Sequence, residues 1–303
     1  MKYHVIVLSH DGKELDCVLT SLAYQTNPPD SLVVTCDGLV PEIERQCAEH
    51  HAKTGQAVVY VGRASKAVGR RAQSRNNGVR ALSSAPTSGD WLVFVDGDVV
   101  IQPSHLAVLR SRVFSDIVLS YVWRLDPTRS ELLRERIRQG RRTFKPSTKE
   151  RLGLALYAMK LQLQCCALWL DRKCSTRFSR PWWPSLGSGN FAVRYDLFEK
   201  VNGFDEGFEG WGGEDTDLGV RLYSLRPRVA RSVTSAAGFH LWHPPSPHRN
   251  SALCPATFEV GKRYSEFGLN RPADQTKEDL EIRSWPAVQQ VPQALVGKAL
   301  CCG

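Results

Sequence analysis

Apolar and polar residues come in alternating blocks along the first hundred positions. Val5-Ile6-Val7-Leu8 is a continuous apolar run that stops at Ser9-His10-Asp11-Gly12. A short apolar run bounded by turn residues predicts a buried strand. Leu15, Val18, Leu19 and Leu22 then recur at helical spacing and predict a helix over 15–24, closed by Pro28-Pro29-Asp30. The same reading gives a strand at 32–35, a helix at 41–50, a strand at 57–61, a helix at 69–82 and a strand at 90–95. Strands alternating with helices predict an α/β fold: a mostly parallel sheet with covered faces and right-handed crossovers. Ligands bind such sheets beyond the carboxyl ends of the strands. Three polar clusters fall there: Ser9-His10-Asp11, Asp37-Gly38 and Asp96-Gly97-Asp98.

The second half is less regular. A basic run, Arg134 to Arg142, precedes an apolar-rich helix over 152–170 that is interrupted by Lys160, Gln162 and Gln164. Such a helix packs on its own domain or lies on a membrane surface. A short helix is expected at 197–201. Another is expected at 215–225, with Leu218, Leu222 and Leu225 facing inward. The tail 297–303 is expected to be loosely ordered.

Composition narrows the class. The chain has 303 residues, 42% hydrophobic and 23% charged, which fits one large domain or two modest ones. It holds no run of eighteen uninterrupted apolar residues, so no membrane-crossing helix is expected. The apolar run after Met1-Lys2-Tyr3-His4 is too short for a secretion signal, and a cytoplasmic location is expected. Nine cysteines without CxxC pairs fit reduced thiols. A net charge of +9 attracts anions: nucleic acid, acidic lipid or phosphorylated small molecules. Charge alone does not choose among them.

Asp96-Gly97-Asp98 follows a strongly apolar strand. Two neighbouring carboxylates repel each other, and a hard divalent cation such as Mn2+ or Mg2+ relieves the repulsion. Asp-Gly is also a common turn dipeptide, so the segment alone is equally a turn or a metal site. A second cluster breaks the tie. Gly187-Ser188-Gly189-Asn190-Phe191-Ala192-Val193-Arg194 is followed by Gly210-Trp211-Gly212-Gly213-Glu214-Asp215-Thr216-Asp217-Leu218. Acids in a first helical turn are favoured by the helix dipole. That explains Glu214, Asp215 and Asp217, but not the Trp-Gly-Gly before them.

From residue 3 to about 250 the order of motifs resembles the family-2-type GT-A glycosyltransferases. The C-terminal half is similar to the β-1,4-galactosyltransferase and chondroitin-polymerase group. Asp96-Gly97-Asp98 matches that family's DxD motif, and Arg75-Asn76-Asn77-Gly78 resembles its Arg-Asn-x-Gly helix. The resemblance implies a Rossmann-like, single compact catalytic domain. Residues 1–110 would form its nucleotide-sugar-binding half, 111–265 its acceptor-binding and catalytic half, and 266–303 a C-terminal extension. It further implies a metal on Asp96, Asp98 and His240, with His243 the second choice. Ser9, Asp37, Arg75, Asp96, Gly189, Asn190 and Trp211 would hold the donor, with Asp37 and Arg75 reading the nucleotide, a uridine. Trp211, Gly212, Gly213, Glu214 and Asp217 would face the acceptor, and Asp215 would be the catalytic base, kept ionised by its helix start. The family's usual Pro-Thr-Tyr-Asn is Leu8-Ser9-His10-Asp11 here, and its Asp-Asp-Gly-Ser turn is Cys36-Asp37-Gly38-Leu39. The first carboxylate of that turn is therefore missing.

The implied reaction is inverting transfer of a hexose or N-acetylhexosamine from a nucleotide-sugar. The acceptor is a hydroxyl on a glycan, lipid-linked glycan, peptide or small molecule, with peripheral membrane contact allowed by the basic run. A metal-dependent nucleotidyltransferase also uses paired carboxylates, but a triphosphate loop rich in Gly and Lys/Arg is missing near 9–13. A nucleic-acid-binding module would interleave basic and aromatic residues, whereas here aromatics cluster with acids near Trp211. No nucleic-acid partner is expected.

Overall fold

The computed structural model describes residues 1–64, 70–141, 144–174, 179–210, 212–233, 236–244, 261–273 and 279–287. Trp211 and the tail 297–303 lie outside them. The first half follows the expected alternation: β1 (Tyr3–Leu8), α1 (Leu15–Ala23), β2 (Ser31–Thr35), α2 (Pro41–Thr54), β3 (Val58–Arg63), α3 (Arg71–Arg80) and β4 (Trp91–Asp96). The helix ends obey local rules. Pro41 opens α2, with Glu42 and Glu44 in its first turn, and Gly55 closes it at φ +68°.

Then come β5 (Val99–Ile101), α4 (His105–Arg110), β6 (Ile117–Leu119), β7 (Val122–Arg124), α5 (Pro127–Arg138) and α6 (Thr148–Cys174). The chain continues through β8 (Asn190–Arg194), α7 (Tyr195–Lys200), α8 (Glu214–Ser224), β9 (Val229–Arg231), β10 (Gly238–His240) and β11 (Leu280–Trp285). The main sheet has eight strands in the order β11-β3-β2-β1-β4-β8-β6-β9, and β5-β10-β7 form a second sheet of three. β3-β2-β1-β4 is parallel, while β8 enters antiparallel to β4 and β6. β11, from the expected extension, pairs antiparallel with β3 and so belongs to the sheet edge.

Strand alternation builds a core on each face of the sheet. Tyr3, Val5 and Val7 face α1, packing with Leu15, Val18 and Leu22. Ile6 and Phe94 face the other way. Phe94 stacks on Phe191 at 5.1 Å and meets Phe204 edge-on at 5.3 Å. This aromatic cluster joins β4 to β8 and to the loop before α8, so it locks the two sequence halves together beneath the strand ends.

α6 departs from expectation. It runs 27 residues and, by length and composition, is apolar enough to cross a membrane, although its apolar residues are not contiguous. One face of it lies in the core.

Candidate active site

The parallel register sets Leu8 opposite Asp96, so the ends of β1 and β4 are level. Gly97 N–H donates to Leu8 O at 2.7 Å. A Cβ at 97 would come within 2.8 Å of the Ser9 backbone, so only glycine fits between the two strand ends. Ser9 is itself buried, and its N–H donates to Thr35 O on β2 at 3.0 Å. Gly189 has a matching role on the other side. Its carbonyl accepts from Asp96 N at 3.1 Å, and a Cβ there would sit 2.9 Å from Asp96 Oδ2. Asn190 ties the two sheets: its Nδ2 donates to Ala236 O at 3.1 Å.

The two acids of Asp96-Gly97-Asp98 face different partners. Asp96 Oδ1 accepts from Arg75 Nη2 at 2.9 Å. Asp98 turns toward β10, which pairs antiparallel with β5 and sets His240 opposite Val99. Asp98 Oδ2 lies 3.3 Å from His240 Nε2 and 3.3 Å from His243 Nε2. Ligand atoms of Asp98, His240 and His243 all fall within 4.8 Å of one another, a grouping that could hold a metal ion. Its His243, second choice in the sequence, stands level with His240, and Asp96 lies outside the group. The Asp98 carboxylate raises the proton affinity of the His243 imidazole.

Arg75 is fully buried. Besides Asp96 it donates from Nη1 to Glu214 Oε1 at 3.2 Å, and its guanidinium lies 5.4 Å from the Phe204 ring centre. It therefore bridges the strand-end acid to the first residue of α8. Asp37 is similarly engaged: it accepts from Arg63 Nη2 at 2.6 Å and from Arg70 N–H at 2.6 Å.

Gly213, at φ +89°, turns the chain into α8, whose first turn holds Glu214, Asp215 and Asp217. These acids separate in three dimensions. Asp217 points inward, 2% exposed, and pairs with Arg221 at 2.6 Å. Arg221 in turn donates to Val201 O and Gly203 O at 2.6 and 2.7 Å, so Asp217 ties α8 through Arg221 to the loop before it. Asp215 accepts from Thr216 N–H at 2.7 Å. The helix start alone predicts an easily ionised acid. Burial, reinforced by the charge of Glu214, instead raises its pKa.

Arg71 escaped the sequence reading. Burial lowers its pKa, opposed by the nearby charges of Asp96, Glu214 and Asp98. It precedes Arg75 by one helical turn, and that i, i+4 spacing was the available signal.

Two family models match separate stretches of the chain. "Glycosyltransferase like family 2" covers residues 3–143, and "N-terminal domain of galactosyltransferase" covers 172–243. Validoxylamine A glucosyltransferase from Streptomyces hygroscopicus subsp. limoneus is 27% identical over 246 residues, 78% of this chain and 49% of its own. Polypeptide N-acetylgalactosaminyltransferase 3 from Taeniopygia guttata is 28% identical over 118 residues, 38% of this chain and 18% of its own. The chain thus spans about half the length, or less, of these curated relatives. The crystal structure of S. aureus TarS 1-349 superposes with a TM-score of 0.52 at 18% identity, covering 79% of this chain and 60% of that one, and shares the fold. The two matched stretches meet where the end of β4, with Asp96 and Asp98, faces Glu214 at the start of α8 and His240 on β10, and the matches support a family-2-type glycosyltransferase of GT-A fold.

Proposed function

We propose that this chain is an inverting transferase that moves a sugar from a nucleotide-sugar to an acceptor hydroxyl. The observation that carries the reading is the Asp96–Arg75–Glu214 bridge. It ties the end of β4, where Asp96 leads to Asp98, to the start of α8, where Glu214 precedes Asp215.

The three-residue cluster suits a divalent cation. Asp98 Oδ1 is buried without a hydrogen-bond partner, and Oδ2 faces two imidazoles. A buried carboxylate oxygen left unpaired is costly, and a cation relieves that cost. Two imidazoles and one carboxylate favour a transition ion such as Mn2+ over Mg2+. Asp98, His240 and His243 would hold the ion, with Asp96 beside them steadied by Arg75. Once bound, it supplies positive charge to the departing diphosphate.

The chain's own groups do the rest. Arg71 adds positive charge on the donor side. Gly97 and Gly189 let the backbone close up around Asp96, with Ser9 beside it, so the donor meets the strand ends themselves. Asp37 supports the nucleotide end by fixing Arg63 and the Arg70 amide. Asp215 accepts the proton of the acceptor hydroxyl, and its raised proton affinity suits a base working nearer neutral pH. Glu214, held by Arg75, orients the acceptor. Attack from the face opposite the diphosphate inverts the anomeric carbon. Relatives named for glucosyl and N-acetylgalactosaminyl transfer support a hexose or N-acetylhexosamine donor, and the family resemblance makes the nucleotide UDP. The same relatives are named for validoxylamine A and for polypeptide, so the reading covers small-molecule, peptide, glycan and lipid-linked acceptors. None of the six described cysteines forms a disulfide, which suits a reducing, cytoplasmic setting.

The test is release of nucleoside diphosphate from a panel of nucleotide-sugars, with Mn2+ and with chelator. Release is expected with a UDP-sugar and Mn2+. Background release with every donor overturns the reading.

A further inference from the structure

α6 is apolar on two opposite faces. The inner face is bound to the domain. Leu154, Ala158 and Leu161 enter the core, Tyr157 stacks on Tyr121 at 3.9 Å, and Gln164 Oε1 accepts from Ser185 N–H at 3.1 Å. Gly153 lets the ring of Trp123 lie against the helix backbone, where any Cβ would collide at 2.2 Å. These contacts fix α6 along the side of the domain, so it cannot leave to span a bilayer without exposing that core.

The outer face carries Leu152, Leu156, Met159 and Leu163, which are 62%, 55%, 59% and 66% exposed, with Cys166 continuing the row. Their spacing of four, three, four and three places them on one line down the helix, opposite the buried row. Among the described residues nothing covers this line. Charge completes the pattern. Lys149, Arg151, Lys160, Arg172 and Lys173 are exposed on α6. Its two acids are engaged elsewhere: Glu150 is buried against Arg129 at 2.9 Å, and Asp171 Oδ2 accepts from Ser179 N–H at 2.8 Å. The face offered outward is therefore an apolar ridge roughly 20 Å long, flanked by Lys149, Arg151, Lys160 and Lys173.

We propose that α6 docks this ridge into the surface of an anionic lipid bilayer, lying in the interface plane. The leucines and Met159 enter the acyl boundary, and the flanking cations meet the headgroups. A second copy fits less well, because face-to-face contact would set the same cations against each other. Docking does not depend on the transferase reading. It would place the β7–β10 sheet, which bears His240, one helix diameter from the lipid surface.

The experiment floats the full chain with phosphatidylcholine vesicles, with and without phosphatidylglycerol. The wild type is expected to float only with the anionic vesicles, and less as salt is added. Leu156→Ser/Leu163→Ser should cut partitioning by at least about tenfold while leaving the unfolding temperature unchanged, because both side chains are exposed. Lys160→Glu/Lys173→Glu should weaken binding to the anionic vesicles alone. No flotation with phosphatidylglycerol overturns the proposal, as does equal flotation of the leucine variant. A salt-resistant dimer that dissociates in the leucine variant without vesicle binding also overturns it, in favour of self-association.

Discussion

Arg75 Nη1 donates to Glu214 Oε1 at 3.2 Å across 139 positions of sequence. The same guanidinium holds Asp96 Oδ1 at 2.9 Å. One buried cation thus fixes the spacing between the end of β4 and the start of α8. That spacing sets where a donor at Asp96 and Asp98 would meet a base at Asp215.

Removing this cation has two separable consequences. Arg75→Ala leaves the buried Glu214 and the half-buried Asp96 without their shared partner, a change that costs about 3–5 kcal/mol. Urea unfolding should show a loss of that order. Arg75→Lys keeps the charge but cannot present two donors in one plane. That variant should stay folded and lose most of its turnover, read as nucleoside diphosphate release. Near wild-type turnover in Arg75→Lys would refute the bridging role.

Asp215 is the group whose protonation turnover should follow. Asp215→Asn should reduce transfer by about 10²–10⁴-fold while donor affinity, measured by calorimetry, stays close to wild type. Because burial raises the Asp215 pKa, the acidic limb of the kcat profile should lie above the ordinary carboxylate range. The base works only when deprotonated, so activity falls as pH drops through that raised value. A profile flat down to the ordinary carboxylate range would count against Asp215.

The metal cluster makes a prediction that distinguishes its members. Chelator should abolish turnover, and added Mn2+ should restore it. Asp98→Asn, His240→Ala and His243→Ala should each weaken Mn2+ binding by at least about tenfold, measured by titration calorimetry on the donor-free protein. Asp96→Asn should weaken it less, because Asp96 lies outside the cluster and faces Arg75. A larger loss at Asp96 than at His243 would restore the ligand set implied by the family resemblance.

His105 makes the fold acid-sensitive. It is fully buried, and burial lowers its pKa from 6.5 to about 4. The unfolded chain therefore binds a proton between those values while the folded protein does not. Stability is fully present above pH 6.5 and is lost as pH falls toward 4, by roughly 3 kcal/mol for this one group. Burial pushes His4 and His50 the same way. Urea midpoints measured across this range should fall with pH, and less steeply in His105→Gln. An unchanged slope in that variant would remove His105 from the account.

The first half of the fold was legible because its signals are local. Val5 to Leu8, the face of Leu15, Val18 and Leu22, and the run Trp91 to Val95 each declare their element within a few residues. The short strands β5, β6, β7, β9 and β10 were not legible. Each has three residues, too few for periodicity, and each exists only through a partner distant in sequence. β11 escaped for the same reason: it is a strand because β3 offers it an edge.

The site divides along the same line. The sequence by itself determined the residue chemistry: two acids after an apolar strand, a glycine turn into an acidic helix, and two late histidines. Only the tertiary structure decided the pairings. It gave Asp98 to both histidines and Asp96 to Arg75, and it turned Asp217 inward to Arg221. It also raised the proton affinity of Asp215 where a helix start alone would lower it. The physical reason is that ion pairing and desolvation act over a few ångströms of space. In Asp96-Gly97-Asp98 two acids one residue apart face opposite partners, so their roles were set by whichever strands and helices folding brought beside them.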